Sequence, residues 1–328
     1  GGAKGGSDFN PKGKSDNEIM QFCQAFMTEL FRHIGSHTDV PAGDIGVGGR
    51  EIGYLFGMYK KLRNAFTGIL TGKGYSYGGS LIRPEATGYG AVYFAKEHIT
   101  DVLHKDFSGA TAMISGSGNV AQYCCQKLTE EGASVLTMSD SSGYIYVPKG
   151  ISVDNLKEIM HLKNVKRGRI SVFAANNPKI ATFFKDQKPW ATTKCEYAFP
   201  CATQNEINKS DAIAMAKNGV IGVYEGANMP STAEAIAVYK ENKMLYGPAK
   251  AVNAGGVATS GLEMSQNSIR SSWTREEVDT KLHNIMRNIY TACKVAAKKA
   301  GKDGDLQFGA NYAGFLKVAS AMTAQGWI

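Results

Sequence analysis

The sequence predicts an α/β protein of two domains, and three observations predict it. Short apolar, β-rich runs alternate with helical stretches from Thr111 to about residue 250. That rhythm belongs to a parallel sheet with helices on both faces. A glycine-rich turn, Gly116-Ser117-Gly118-Asn119-Val120-Ala121, joins a predicted strand to a predicted helix. A chain of 328 residues, 43% of them hydrophobic, carries enough apolar material for two cores.

The elements follow in order. The chain opens on Gly1-Gly2-Ala3-Lys4-Gly5-Gly6-Ser7-Asp8, a lysine between glycine pairs. Glycines allow close backbone approach to a small ligand. A lysine held there can be partly desolvated, which brings its pKa towards neutrality and suits acid–base work. Ser15, with Glu18 as its capping-box partner, starts a helix through Phe22, Phe26 and Leu30. His33 and His37 fall at its end. The glycine-dense Pro41-Ala42-Gly43-Asp44-Ile45-Gly46 precedes a second helix over Arg50 to Leu62. Tyr75 to Gly79 reads as a loop, and Arg83-Pro84-Glu85-Ala86-Thr87-Gly88 opens a helix to about Leu103. Strands are expected at Thr111–Ser115, Ser134–Met138, Ile170–Phe173, Tyr197–Phe199, Val220–Tyr224 and Met244–Tyr246. Beyond Asn253 the chain is mostly helical, with a long amphipathic stretch over 276–300. The domains expected are 1–77 with 303–328, and 78–302, the long helix carrying the chain back.

Composition narrows the function. The net charge of +8 is spread along the chain, densest in Lys163 to Arg169. It comes with no recognisable nucleic-acid module, so an enzyme of anionic substrates is expected and nucleic acid is not. The six cysteines form no CxxC, and neither they nor the six histidines adopt a metal-ligand spacing. Buried thiols in a reducing compartment, and no metal, are the expectation. No apolar run is long enough to span a membrane. The chain opens inside a motif and is expected to be part of a longer one.

The Gly116–Ala121 turn has the form GxGxxA in the strand–turn–helix setting a dinucleotide fingerprint requires. Amides of Gly116, Ser117, Gly118, Asn119 and Val120 at the helix start suit a pyrophosphate. Asp140 ends the next strand, where an acid accepts from a ribose 2′-OH and marks NAD. Ser141, Ser142 and Lys163 around it suit a 2′-phosphate, so residue chemistry alone leaves NAD and NADP open.

With these motifs in order, and with Pro200-Cys201-Ala202-Thr203-Gln204-Asn205, Glu225-Gly226-Ala227-Asn228-Met229-Pro230 and Val252-Asn253-Ala254-Gly255-Gly256-Val257-Ala258-Thr259-Ser260-Gly261, the chain resembles the hexameric short-subunit glutamate dehydrogenases. The resemblance covers essentially all of it. It implies a Rossmann-like dinucleotide domain and an α/β substrate domain, here incomplete at its N-terminus. It implies a homo-hexamer that interconverts L-glutamate with 2-oxoglutarate and ammonium, with NADP(H) as cofactor; the reducing compartment expected from the cysteines is the cytoplasm, with an organelle as the alternative.

The same resemblance implies roles for the matching positions. Lys4 would activate water and polarise the carbon under attack. Asp44 would exchange a proton with the substrate nitrogen, Gly43 would contact substrate through its backbone, and Ser260 would hold the side-chain carboxylate. Arg83, Thr87, Asn119, Ala202, Thr203, Asn228 and Asn253 would line the cofactor, with Ser141 and Lys163 at its 2′ end. Relatives carry a segment upstream of the first motif, with further lysines for the substrate carboxylates. A branched-chain or aromatic amino-acid dehydrogenase, and a non-catalytic dinucleotide-binding fragment, are the competing readings. Ser260 and the Pro-Cys-Ala-Thr-Gln-Asn motif favour glutamate.

Overall fold

Two hydrophobic cores organise the chain. The computed structural model describes residues 2–44 and 46–326. Gly1 and Ile45, quoted in two of the motifs, lie outside the described residues, as do Trp327 and Ile328. The chain begins with β1 (Gly2–Ala3), α1 (Asp16–Leu30), β2 (Val40–Pro41), α2 (Gly49–Arg63) and a single 3₁₀ turn at Tyr75–Tyr77. Then come α3 (Ala86–Leu103), β3 (Thr111–Ile114), α4 (Asn119–Glu130), β4 (Ser134–Asp140), β5 (Gly143–Tyr146), α5 (Val153–Asn164) and α6 (Ile170–Asn176). β6 (Thr182–Lys185), β7 (Tyr197–Phe199), α7 (Lys209–Lys217), β8 (Gly222–Tyr224), α8 (Ala233–Glu241) and β9 (Leu245–Gly247) follow. The chain closes with α9 (Ala249–Val252), α10 (Gly255–Ile269), α11 (Arg275–Lys299) and α12 (Leu306–Gln325).

The first unit joins Gly1–Pro84 to Gly256–Lys281. Its core is Met27 of α1, Ile52, Phe56 and Tyr59 of α2, and Ile69 and Leu70. The expected capping box starts α1: Ser15 Oγ accepts from Glu18 N, and Glu18 returns a carboxylate to Ser15 N at 2.7 Å. β1 and β2 pair in parallel, Ala3 opposite Pro41.

The second unit joins Glu85–Gly255 to Leu282–Ile328. Its seven-stranded sheet has the order β6-β5-β4-β3-β7-β8-β9. The pairs from β4 to β9 are parallel, and β5 and β6 run antiparallel on one edge. The chain leaves β3 for β4 on one side and later returns to β7 on the other. That reversal is the topological switch point where α/β sheets bind ligands, at the carboxyl ends of the strands. Met113, Trp190, Ala198, Met215, Val223 and Tyr239 lead the core of this unit.

Three expectations differ from the structure. Ile170–Phe173 is helical, the start of α6. Ile170, Phe173 and Ala174 are buried while Val172 is 41% exposed, a burial period of three to four rather than two. The hairpin strands β5 and β6 were not expected from the sequence. Residues 303–326 of the segment expected to join 1–77 belong to the second unit, and 256–281 belong to the first. Lys240 Nζ of α8 reaches Asp305 at 2.9 Å, and Lys250 Nζ reaches Asn311 at 2.7 Å, which fastens α12 to the dinucleotide side. α10 is tied instead to Thr71, Gly72, Gly78 and Ser80.

All six cysteines are free and buried. Among the described residues no helix is long and apolar enough to cross a membrane.

Candidate functional site

The register of β1 on β2 sets Lys4 beside the turn that follows β2. Its Nζ donates to Gly43 O at 2.5 Å and lies 3.3 Å from Asp44 Oδ2. The turn is closed by Asp44 and Val47, which exchange backbone hydrogen bonds. Gly43 is required there, because a Cβ would meet Val47 O at 2.7 Å. The structure thus brings Lys4, Gly43 and Asp44 together across thirty-nine residues of sequence. A lysine and a carboxylate at this distance can pass a proton. The expectation for Lys4 is partial desolvation between its glycines. In the structure its side chain is 55% exposed and that of Asp44 46%.

Ser260 lies on α10, buried, in the same unit. Its Oγ accepts from Thr71 Oγ1 at 3.0 Å and from Arg83 Nε at 2.9 Å. Arg83 was expected at the cofactor; its Nε is engaged by Ser260 within the first unit. Burial lowers the Arg83 guanidinium from its ordinary value, and the charge of Glu263 opposes the shift. One turn along α10, Glu263 pairs with Lys73 at 2.8 Å. Neither was singled out in the sequence, where a lone Lys and a lone Glu so far apart carry no pattern.

In the second unit the expected dinucleotide residues converge on the carboxyl edge of β3, β7 and β8. Gly116 has φ +82°, and a Cβ on it would meet Cys201 O at 2.8 Å, so only glycine fits. Gly116 N donates to Ser139 Oγ at 2.7 Å, and Gln122 Nε2 donates to Ser117 O. Gly118 caps α4, and a Cβ there would meet nothing within 4 Å. The helix start formed by Gly118, Asn119 and Val120 therefore has room for a pyrophosphate against its amides. Thr87 lies in the first turn of α3, which packs on α4; a Cβ on the adjacent Gly88 would meet Cys124 N at 2.4 Å. Gly226 approaches Cys201 Sγ, Asn253 Nδ2 donates to Gly226 O, and Asn228 is exposed on the same loop.

The loop of Ala202 and Thr203 is organised by a residue the sequence reading missed. Glu206 Oε1 accepts from Ser115 Oγ at 2.8 Å, Ala202 N at 3.2 Å and Thr203 N at 3.4 Å. Burial pushes its carboxyl up to about 7, against the pull of those hydrogen bonds and of Lys188.

Asp140 ends β4, and Ser141 and Ser142 form the tight turn to β5. The Asp140 carboxylate accepts from Ser142 N (2.9 Å), Ser142 Oγ (2.6 Å), Lys163 Nζ (3.1 Å) and Ile170 N (2.8 Å). Burial raises it, but these hydrogen bonds outweigh burial and hold it below the usual carboxylate range. Arg169 Nη1 donates to Ser141 Oγ at 2.6 Å and is exposed. The signal for Arg169 was present in the basic run that ends with it.

Residues 78–326 match the family described as Glutamate/Leucine/Phenylalanine/Valine dehydrogenase. Residues 1–61 match Glu/Leu/Phe/Val dehydrogenase, dimerisation domain. The chain is 58% identical over 330 residues to the NADP-specific glutamate dehydrogenase of Giardia intestinalis, covering 100% of this chain and 73% of that protein. It is 59% identical over 328 residues to the NAD(P)-specific glutamate dehydrogenase of Xylanibacter ruminicola, covering 99% and 72%. Its structure is similar to the crystal structure of Plasmodium falciparum glutamate dehydrogenase, with a TM-score of 0.95 at 58% identity over 98% of this chain and 69% of that one.

Proposed function

The chain belongs to the Glu/Leu/Phe/Val dehydrogenase family, and from that premise we propose that it interconverts L-glutamate with 2-oxoglutarate and ammonium, using NADP(H). The names of relatives at 58–59% identity over the whole chain support both substrate and cofactor. The single observation that carries the chemistry is the meeting of Lys4, Gly43 and Asp44 at one turn.

Asp44 takes a proton from the substrate ammonium, or returns one to the nitrogen in the reverse direction. Lys4 draws a proton from the water that adds to the carbon–nitrogen double bond, and its charge polarises that bond. Gly43 offers its backbone to the substrate, and Ser260 donates to the side-chain carboxylate. NADP(H), when bound, supplies the hydride acceptor or donor. The glycine turn at Gly116–Val120, Thr87, Ala202 and Thr203, Asn228 and Asn253 would hold it, and Ser141, Lys163 and Arg169 would meet its 2′-phosphate. The open space over Gly118 fits such a group.

The test is Lys4→Ala and Asp44→Asn. Each lowers kcat by about 10²–10⁴-fold, the usual share of acid–base catalysis, while NADPH fluorescence still reports binding. Near-normal turnover in either variant would sink the assignment. Assembly as a homo-hexamer is supported by the matched dimerisation domain and by exposed Phe315, Val318 and Met322 on α12. Sedimentation at the mass of a monomer or dimer would refute it. Six free, buried thiols support a reducing compartment, proposed here as the cytoplasm.

A further inference from the structure

Glu263 and Lys73 are charges with no part in the chemistry above, yet their side chains are 0% and 1% exposed. A buried ion pair is a weak source of stability, because desolvation offsets the attraction. Burial lowers the Lys73 ammonium from its ordinary value, and only Glu263 opposes it. Such a pair in the first unit calls for another explanation, and its surroundings supply one.

The Glu263 carboxylate is filled by one short loop. Gly72 N donates to Oε2 at 2.9 Å, and Lys73 N and Nζ donate to Oε1 at 3.3 and 2.8 Å. Lys73 Nζ also turns back to Leu70 O. Thr71 is therefore gripped from both sides. Its N–H donates to Pro41 O at 3.0 Å, in a parallel bridge that pairs it with Ala42, next to Gly43 and Asp44. Its hydroxyl donates to Ser260 Oγ, which lies one turn from Glu263 on the same face of α10.

Two consequences follow. The Ser260 oxygen accepts from both Thr71 and Arg83, so its two acceptor positions are occupied. What remains is its proton, and no described residue takes it. Ser260 is thus held as a donor, the role that suits a carboxylate oxygen and leaves an apolar side-chain end unmatched. The same loop also sets the separation of the Gly43–Asp44 turn from Ser260, the two places where opposite ends of the substrate would be held.

We propose that Glu263, acting with Lys73, is a positioning residue for substrate choice: it pins the Leu70–Lys73 loop so that Ser260 can only donate, and so selects a substrate whose side chain ends in a carboxylate. The proposal rests on the reading of Ser260 as the partner of that carboxylate.

The experiment compares reductive amination of 2-oxoglutarate and of 2-oxopentanoate, which has the same chain length and a methyl end. It uses the full protein, its Glu263→Gln variant and the charge-free Lys73→Gln/Glu263→Gln variant. Preference for 2-oxoglutarate, as the ratio of kcat/KM values, is expected to fall by about 10- to 100-fold in both, the size of a small misplacement. The loss appears in KM for 2-oxoglutarate, with KM for NADPH unmoved. Thr71→Val reproduces the loss and Thr71→Ser restores the preference; this pair decides the matter if the buried-charge variants do not fold. An unchanged ratio, or a parallel fall for both keto acids and NADPH, would overturn the proposal. A full-length unsubstituted protein that prefers 2-oxopentanoate would instead overturn the reading of Ser260, and the proposal with it.

Discussion

Asp140 is a carboxylate whose acceptor positions are taken up by its own neighbours. A carboxylate offers about four acceptor positions, and Ser142, Lys163 and Ile170 fill them from four donor atoms. A ribose 2′-OH would have to displace one of these. Ser141 and Arg169 lie at the same turn, and Arg169 holds an exposed charge on the Ser141 hydroxyl. A 2′-phosphate there gains a charge-assisted bond. Arg169→Ala is therefore expected to lower the NADPH-over-NADH ratio of kcat/KM by about 10-fold or more, as loss of a hydrogen bond to a charged group does. An unchanged ratio would mean that the phosphate is read elsewhere. Asp140, Ser141 and Lys163 can be singled out from the sequence, because strand ends and charge runs are visible in one dimension. Arg169 was within view but not assignable. Which cation of a run reaches a given hydroxyl depends on where the β4–β5 turn and the start of α6 meet.

Short motifs with a strand before and a helix after were legible at the scale of elements, and β3, α4 and the Gly116 turn follow the reading closely. The failures were elements whose pattern is shared between classes. The run at α6 is apolar enough for a strand, and only its neighbours decide which faces are buried. β5 and β6 form the antiparallel edge of the sheet, with a turn whose serines read equally well as cofactor ligands. Glu206 was invisible for a related reason: its partners Ser115, Ala202 and Thr203 come from two strand ends. Its titration makes a prediction. A glutamate in the unfolded chain titrates near 4.5, whereas in the fold it titrates at about 7. Between those values the folded protein holds the extra proton, so this carboxyl makes stability fall as pH rises through that window. Above about 7 the whole penalty is in place. Glu206→Gln keeps an acceptor and removes the charge. Its Tm should exceed that of the unsubstituted protein by about 2 °C or more at pH 8, and the gap should close towards pH 5. A difference independent of pH would count against the argument.

For the whole molecule, the chain changes unit at Pro84–Glu85, Gly255–Gly256 and Lys281–Leu282. A discontinuous first domain was legible, but not which late segment completes it. Periodicity identifies α10, α11 and α12 as helices; it does not say which core each one joins. That choice was made by side chains such as Gln266 and Lys240, whose partners are remote in sequence. The cysteines carry a consequence of this division. Cys23 is alone on α1 in the first unit, and the other five belong to the second. Burial raises the Cys23 thiol, and pushes those of Cys125 and Cys195 up to about 12 and that of Cys293 to about 11. Thiol reagents attack the thiolate, so these sulfurs are silent until their surroundings open. Alkylation read by mass spectrometry then becomes a clock with two dials: Cys23 times the loosening of one core, and Cys125, Cys195 and Cys293 time the other. Added NADPH should slow the second dial, since a ligand bound to the native state lowers the population that opens.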